Sequence, residues 1–250
     1  MSEHPGGAER SGRSLPPQVI PDQARLQGSI GRLLQTVAAL TDDDILQPSL
    51  LPGWDRAHVL THLSRAADAR TGLLAAARAG IIGRQYPSEE SRAREIEAGA
   101  GRPAPVIRAD LRQALGRFRA AADSHPADRW DALGEWLGGH RQPVHRVLPG
   151  LHKEIEYHHV DLSAGYRPAD WPQEFVDSQL STVTQSMTRR ADCPAVTIRA
   201  SRATYRIGDG ALATITGDAP DLLAWLTGRA DGHDLQRVPA GPLPPIPPFS

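Results

Sequence analysis

The stretch KEIEYHHVDLSAGY, residues 153–166, concentrates residue types that could bind a metal. Glu154, Glu156, His158, His159 and Asp161 fall within eight residues of a chain that has 10 histidines in all. Glu154 and His158 are four residues apart, so on a helix they share one face. Carboxylate oxygen and imidazole nitrogen both ligate divalent metals such as zinc. The same spacing also occurs on solvated helix faces, so this pair alone does not decide between a metal site and an ordinary surface.

The remaining polar residues of this stretch have other expected positions. Glu156 lies off the face of the candidate ligands, and we expect it to face solvent. His159 is one step from that face, where it either packs or supports a ligand histidine. Asp161 either orients a ligand histidine or pairs with an arginine. The sequence leaves the roles of His159 and Asp161 open.

A metal site needs a further ligand from another element, and the stretch GWDRAHVLTHL, residues 53–63, offers two histidines. His58 is three residues after Asp55, a good helix N-cap, which gives His58 a local structural role at the helix start. His62 lies one turn deeper, among apolar neighbours. A histidine on an apolar face is usually a satisfied core residue. His62 becomes a candidate ligand only in combination with the Glu-His pair of the later helix.

Helical periodicity predicts the elements that carry these residues. Apolar residues recur at helical spacing over residues 18–40, 55–79, 105–122 and 147–165. Four such helices predict an antiparallel four-helix bundle. Between the second and third, SEESRAREIEAG predicts a short exposed helix. The bundle is predicted to span residues 18–170, after a disordered leader at 1–17 that is rich in Gly, Ser, Pro and charge.

The pattern changes after residue 170. DWPQEF begins a predicted helix that runs to about Arg190, and AVTIRAS, TYRIG and ALATITG read as short strands. APDLLAWLTGRA predicts a last helix. We therefore expect a small α/β domain at residues 171–240, a proline-rich tail at 241–250, and an α+β fold for the whole chain.

Composition excludes several classes of protein. The net charge of −1 gives no electrostatic footprint for nucleic acid. No run of about 18 apolar residues predicts a membrane span, and the leader lacks the apolar region of a secretory signal. The single cysteine, Cys193, excludes a disulfide framework within the chain and a cysteine-based zinc site. We expect a cytoplasmic protein, either a monomer or a homodimer, without nucleic-acid or membrane partners.

Three motifs together resemble a known family. LPGWDRAHVLTHL, followed by EIEYHHVDLSAGY and then DWP, resembles the mycothiol-dependent maleylpyruvate isomerases, a branch of the DinB-like metalloenzyme superfamily. The resemblance implies a DinB-like bundle with zinc, or another divalent metal, held by His62, Glu154 and His158. ATITGDAPDLLAWLTGRA resembles the C-terminal domain of the family, which implies that Arg229 helps to form the active site. Without the resemblance, an exposed arginine at a helix end would be an equally good interpretation of Arg229.

Three protein ligands leave a coordination position open, as in catalytic zinc sites. The resemblance implies that mycothiol supplies an external thiol there, to attack a small electrophile. Either S-transfer or cis–trans isomerisation of maleylpyruvate would follow, and Arg229 would hold a substrate carboxylate or a polar group of mycothiol. The substrate pocket is expected to need both domains. A non-catalytic metal-binding DinB-like protein and a zinc hydrolase are the alternative functions.

Overall fold

The computed structural model describes residues 15–210 and 213–248, and it contains both helices and sheets. The predicted leader lies mostly outside these residues, as do the first two residues of the ALATITG run. The helices are α1 (Val19–Ala39), α2 (Asp42–Ile45), α3 (Arg56–Arg78), α4 (Glu89–Ala100), α5 (Ala104–Asp123), α6 (Val147–Asp161), α7 (Gln173–Thr188) and α8 (Ala219–Leu226). The strands are β1 (Leu133–Glu135), β2 (Arg141–Pro143), β3 (Val196–Arg199), β4 (Thr204–Ile207), β5 (Ala213–Thr216) and β6 (Gln236–Val238).

The first of two compact units comprises residues 15–48 and 53–155. Helix α3 is its central element, because it packs against both α4 and α5 and buries residues on most of its circumference. Apolar residues of α3, α5 and α6 form the interior, among them Leu63, Leu111 and Ile155. Strands β1 and β2 pair as an antiparallel hairpin. His62 therefore lies on the most enclosed helix of the unit.

The second unit comprises residues 49–52 and 156–248. Its four-stranded sheet has the order β4-β3-β5-β6, in which β3 and β5 are parallel and the other neighbours are antiparallel. Helix α7 packs against β4 and α8. Apolar side chains from the helices and the sheet form one core, represented by Val176, Leu180, Ile198, Ile215 and Leu222. Trp225 also belongs to this core.

Helix α6 runs without interruption through the boundary between the two units, which falls after Ile155. The turn that carries Glu154 is therefore covalently and helically continuous with the turn that carries His158. Since a helix rises about 1.5 Å per residue, the Cα atoms of these two residues stand about 6 Å apart along the helix axis, on one face. Their relative position follows from α6 alone.

Most predicted elements are present, with ends that shift by a few residues. The α+β class is confirmed, whereas the four-helix arrangement and the domain boundary at residue 170 stay predictions. The short elements α2, β1, β2 and β6 were not predicted, because three or four residues are too few to show a period. No helix of the described residues combines the length and apolar character that a membrane span requires.

The prediction of an exposed helix at SEESRAREIEAG is wrong for one face of α4. Ile96, Gly99 and Ala100 are buried there, since α4 packs on α3. A Cβ atom on Gly99 would lie 2.4 Å from Cγ2 of Thr61, so glycine permits this close approach. The helix is amphipathic, and its inner face turns toward the helix that carries His62.

The start of α3 is fixed by Asp55. Its carboxylate accepts hydrogen bonds from the backbone N–H of His58 at 2.9 Å and from Nδ1 of His58 at 2.6 Å. The structural role predicted for His58 is confirmed, although the ring bonds to the Asp55 side chain and not to its backbone. Asp55 thus satisfies one of the free N–H groups of the first turn.

We expect Asp55→Ala to lower the free energy of unfolding by about 1 kcal/mol, because the helix loses its capping acceptor. Asp55→Asn keeps an oxygen at the same position and should retain most of the stability. Urea unfolding of both variants measures the difference. Equal stability of the Ala and Asn variants would show that the cap contributes nothing.

Candidate metal centre

The three predicted ligands come together. One ligand atom from each of His62, Glu154 and His158 can be chosen so that all three atoms lie within 4.8 Å of one another. Nε2 of His62 lies 3.1 Å from Oε2 of Glu154. Two ligand atoms on a tetrahedral zinc with bonds of about 2.1 Å would lie about 3.4 Å apart, so this separation suits an ion. The buried α3 contributes one ligand and α6 contributes two, one turn apart.

The two oxygens of Glu154 contact different side chains. Oε2 faces His62, and Oε1 accepts a hydrogen bond from Nη2 of Arg70 at 3.1 Å. Arg70 is buried and also donates to the backbone oxygen of Ala66. Its guanidinium lies against Gly150, where a Cβ would be only 3.4 Å from Nε. Arg70 therefore compensates the carboxylate charge and fixes the orientation in which Glu154 presents its second oxygen.

His158 is oriented by a carboxylate. Its Nδ1 lies 2.8 Å from Oδ2 of Asp161, whose side chain is almost fully buried. The same oxygen accepts a hydrogen bond from Nη2 of Arg229 at 2.7 Å. The guanidinium of Arg229 also lies over the ring of Tyr157, at 4.4 Å from its centroid. Because Asp161 engages Nδ1, Nε2 is the nitrogen of His158 that could ligate a metal, which is the arrangement usual for ligand histidines.

His62 has an unusual partner at its second nitrogen. Nη2 of Arg92 lies 3.1 Å from Nδ1 of His62. A guanidinium only donates, so in this structure Nδ1 accepts and the ring proton lies on Nε2, toward Glu154. The half-buried ring of Trp54 lies 5.8 Å from the His62 ring and 6.0 Å from the His58 ring. His62 is thus held between an aromatic neighbour and a cation.

The donor set suits a divalent metal of the zinc type. Two imidazole nitrogens and one carboxylate oxygen are typical of catalytic zinc sites, which leave at least one position for water or substrate. Nδ1 of His158 is engaged by a carboxylate, as is usual for a ligand histidine, whereas the Arg92 contact at Nδ1 of His62 belongs to the metal-free tautomer. Arg70 keeps the charge of the ligand carboxylate compensated. No other group of three or more potential ligands occurs in the described part of the chain.

Glu156 does not face solvent, so that prediction is wrong. The residue is 1% exposed, and its Oε2 accepts a hydrogen bond from the Tyr166 hydroxyl at 2.6 Å. His159, one of the residues left open by the sequence, is also buried and stacks on the Tyr166 ring at 3.7 Å. The helical period gave the direction of Glu156 correctly. The error came from assuming that water lies in that direction, where the second unit places Tyr166.

Cys193 plays no part in this centre. It is a free thiol, and burial raises its pKa, so the thiol form is favoured at neutral pH.

Sequence reasoning missed Arg70, Arg92 and Tyr86. Arg70 follows His62 by eight residues, which places both on one face of α3. Arg92 shares a face of α4 with Ile96, four residues on, which is buried. These spacings could have indicated both arginines. Nothing in the sequence around Tyr86 indicates that its side chain is buried near them.

Comparison with known proteins decides the family. The family profile described as "Mycothiol maleylpyruvate isomerase N-terminal domain" matches residues 26–163, which is more than half of the chain. The chain belongs to this family. The matched region contains all three candidate ligands. Arg229 lies outside it.

Solved structures give the same fold assignment. Two crystal structures of mycothiol-dependent maleylpyruvate isomerase, one of them of a histidine-to-alanine variant, superpose with TM-scores of 0.88 and 0.87. Each is 20% identical in sequence, and each alignment covers 94% of this chain and 98% of that chain. At this identity the similarity establishes a shared fold. A search of curated proteins found no match.

We expect His62→Ala, Glu154→Ala and His158→Ala each to abolish binding of about one zinc per chain, since each removes one of three protein ligands. His58→Ala is the matched control on α3. It should keep the metal and lose about 1 kcal/mol of stability from the weakened helix start. Elemental analysis after dialysis measures the zinc. Full occupancy in all three ligand variants would refute the site.

Proposed function

We propose that the protein is a mycothiol-dependent metalloenzyme that uses zinc, or another divalent metal, at His62, Glu154 and His158. The metal would activate the thiol of mycothiol for attack on a small electrophile. The observation that carries this proposal is the open three-ligand set within the matched region of a mycothiol maleylpyruvate isomerase family. The solved structures with the same fold are those of a mycothiol-dependent isomerase.

Zinc held by these residues would lower the pKa of a coordinated thiol, so that mycothiol would react as its thiolate at neutral pH. A free thiol has a pKa of about 8.5 and is only about 3% ionised at pH 7. The protein's own Cys193 does not replace mycothiol in this role, because burial raises the pKa of that thiol.

The residues around the ligands have separate tasks in the proposal. Arg70 holds Glu154 in its ligating orientation. Asp161 keeps the Nδ1 proton of His158, so that Nε2 is directed to the metal. Arg229 positions Asp161 through its hydrogen bond at 2.7 Å, and its guanidinium is the proposed contact for mycothiol or substrate. Arg229 is therefore the proposed catalytic and cofactor-binding residue outside the ligand set.

The thiolate of mycothiol could carry out either of two reactions. In isomerisation, sulfur adds to an activated carbon–carbon double bond, the adduct rotates about the resulting single bond, and elimination of the thiol restores the double bond. In S-transfer, sulfur forms a bond to carbon, a leaving group departs with the bonding electrons, and mycothiol stays attached. The family favours the isomerisation of maleylpyruvate, and the ligand set serves both reactions.

The test is turnover by the zinc-loaded protein with mycothiol present or absent. We expect conversion of maleylpyruvate, or conjugation of an alkylating electrophile, only when both zinc and mycothiol are supplied. Chromatography separates the isomer from the thioether and so identifies the reaction. Thiol-independent cleavage of esters or amides would establish the zinc hydrolase instead. Metal binding without any turnover would favour the non-catalytic protein.

Arg229→Ala serves as the companion variant in the same assay. We expect it to keep its zinc, because Arg229 is not a ligand, but to raise the KM for mycothiol or lower kcat at least about tenfold. Arg229→Lys should recover part of the loss. Unchanged kinetics in Arg229→Ala would remove this residue from the active site and leave the metal assignment intact.

A further inference from the structure

Arg92 is a half-buried cation without a carboxylate partner. Its guanidinium Nη2 reaches Nδ1 of His62 at 3.1 Å, and no carboxylate of the described residues lies within ion-pair distance. Several other arginines near the interior of this unit pair with an acid, namely Arg65, Arg70, Arg102 and Arg108. A half-buried positive charge with an imidazole and a phenol beside it, and no carboxylate of the described residues within ion-pair distance, would be stabilised by an anion.

Tyr86 lies beside Arg92 and offers a second donor. The Arg92 guanidinium carbon is 6.0 Å from the centroid of the Tyr86 ring. Tyr86 is 8% exposed, and the Arg92 guanidinium donates toward its hydroxyl oxygen, so the hydroxyl proton itself has no acceptor of normal geometry among the described residues. Burial raises the pKa of Tyr86, so the hydroxyl keeps its proton at neutral pH. A buried O–H without an acceptor is rare in folded proteins and indicates a missing partner.

Metal binding would release Arg92 from His62. When a metal occupies Nε2, a neutral imidazole carries its proton on Nδ1, and that nitrogen can no longer accept a hydrogen bond. Two donors, the ring N–H and the guanidinium, would then face each other. The guanidinium needs a new acceptor next to the metal, where an electrophile would have to bind. The loaded site thus favours a negatively charged group that the metal-free site does not require.

We propose that Arg92 and Tyr86 form a carboxylate-binding site beside the candidate metal centre, and that this site selects electrophiles with an anionic group. The proposal rests on the proposed function for its metal. The planar fork of Arg92 can bind a carboxylate through two parallel hydrogen bonds, and the Tyr86 hydroxyl can donate a third. Arg229 is less suited to this task, because its charge is already compensated by Asp161.

The experiment measures binding of malonate, an unreactive dicarboxylate, to the zinc-loaded full-length protein by calorimetry without any thiol. We expect Arg92→Ala to weaken malonate binding at least about tenfold, since the bidentate contact is lost. Arg92→Lys keeps the positive charge but loses the planar two-donor geometry, so its malonate affinity should lie between those of the wild type and Arg92→Ala. Tyr86→Phe removes only the hydroxyl and should weaken binding a few-fold. Arg94→Ala, an exposed arginine two residues on in α4, is the matched control and should bind like the wild type.

Three results would overturn the proposal: no malonate binding by the zinc-loaded wild type, equal binding by the Arg92→Ala and Arg94→Ala variants, or equal binding of malonate and its dimethyl ester. Retained zinc in every variant confirms that the centre itself is intact. Because no thiol is present, this experiment can succeed even if thiol-dependent turnover is absent. It can also fail while that turnover is found, so the two proposals are tested separately.

Discussion

A single carboxylate, Glu154, sets the requirements for the rest of the site. A charged group that is mostly removed from water must be compensated by nearby charge or by hydrogen bonds. Glu154 directs one oxygen to Arg70 and the other to His62. Arg70 and His62 lie on one face of α3, and the helix start at Asp55 and the core around Leu63 hold that face in place. The packing of α3 therefore holds Arg70 and His62 in the positions from which they contact Glu154.

A second carboxylate of helix α6 also contacts one histidine and one arginine. Asp161 is shared by the His158 ring and Arg229, just as Glu154 is shared by the His62 ring and Arg70. Each shared carboxylate pairs one histidine with one arginine, but only Glu154 is a candidate ligand, whereas Asp161 orients one. Arg92 breaks the pattern, since it approaches a histidine without any carboxylate. That difference is the reason why we propose Arg92 as the cation that binds an incoming anion.

The spacing of residues along the sequence was sufficient to predict the long helices and part of the candidate site. The four-residue spacing of Glu154 and His158, with the resemblance that added His62, predicted three residues whose ligand atoms lie within 4.8 Å of one another. The long helices were predictable because their apolar period extends over several turns. The partners of the ligands were not, because Arg70 lies 84 residues from Glu154 in the sequence and Arg92 lies 30 residues from His62. Periodicity gives the direction of a side chain but not what it meets, as Glu156 shows.

The central claim is that the protein ligands leave a position at which the sulfur of mycothiol binds the metal. X-ray absorption at the zinc edge tests it directly, because none of the three protein ligands contains sulfur. The zinc-loaded protein alone should show only nitrogen and oxygen neighbours at about 2.0–2.2 Å. Added mycothiol should introduce one sulfur neighbour at about 2.3 Å. A spectrum that stays free of sulfur at saturating mycothiol would contradict the account.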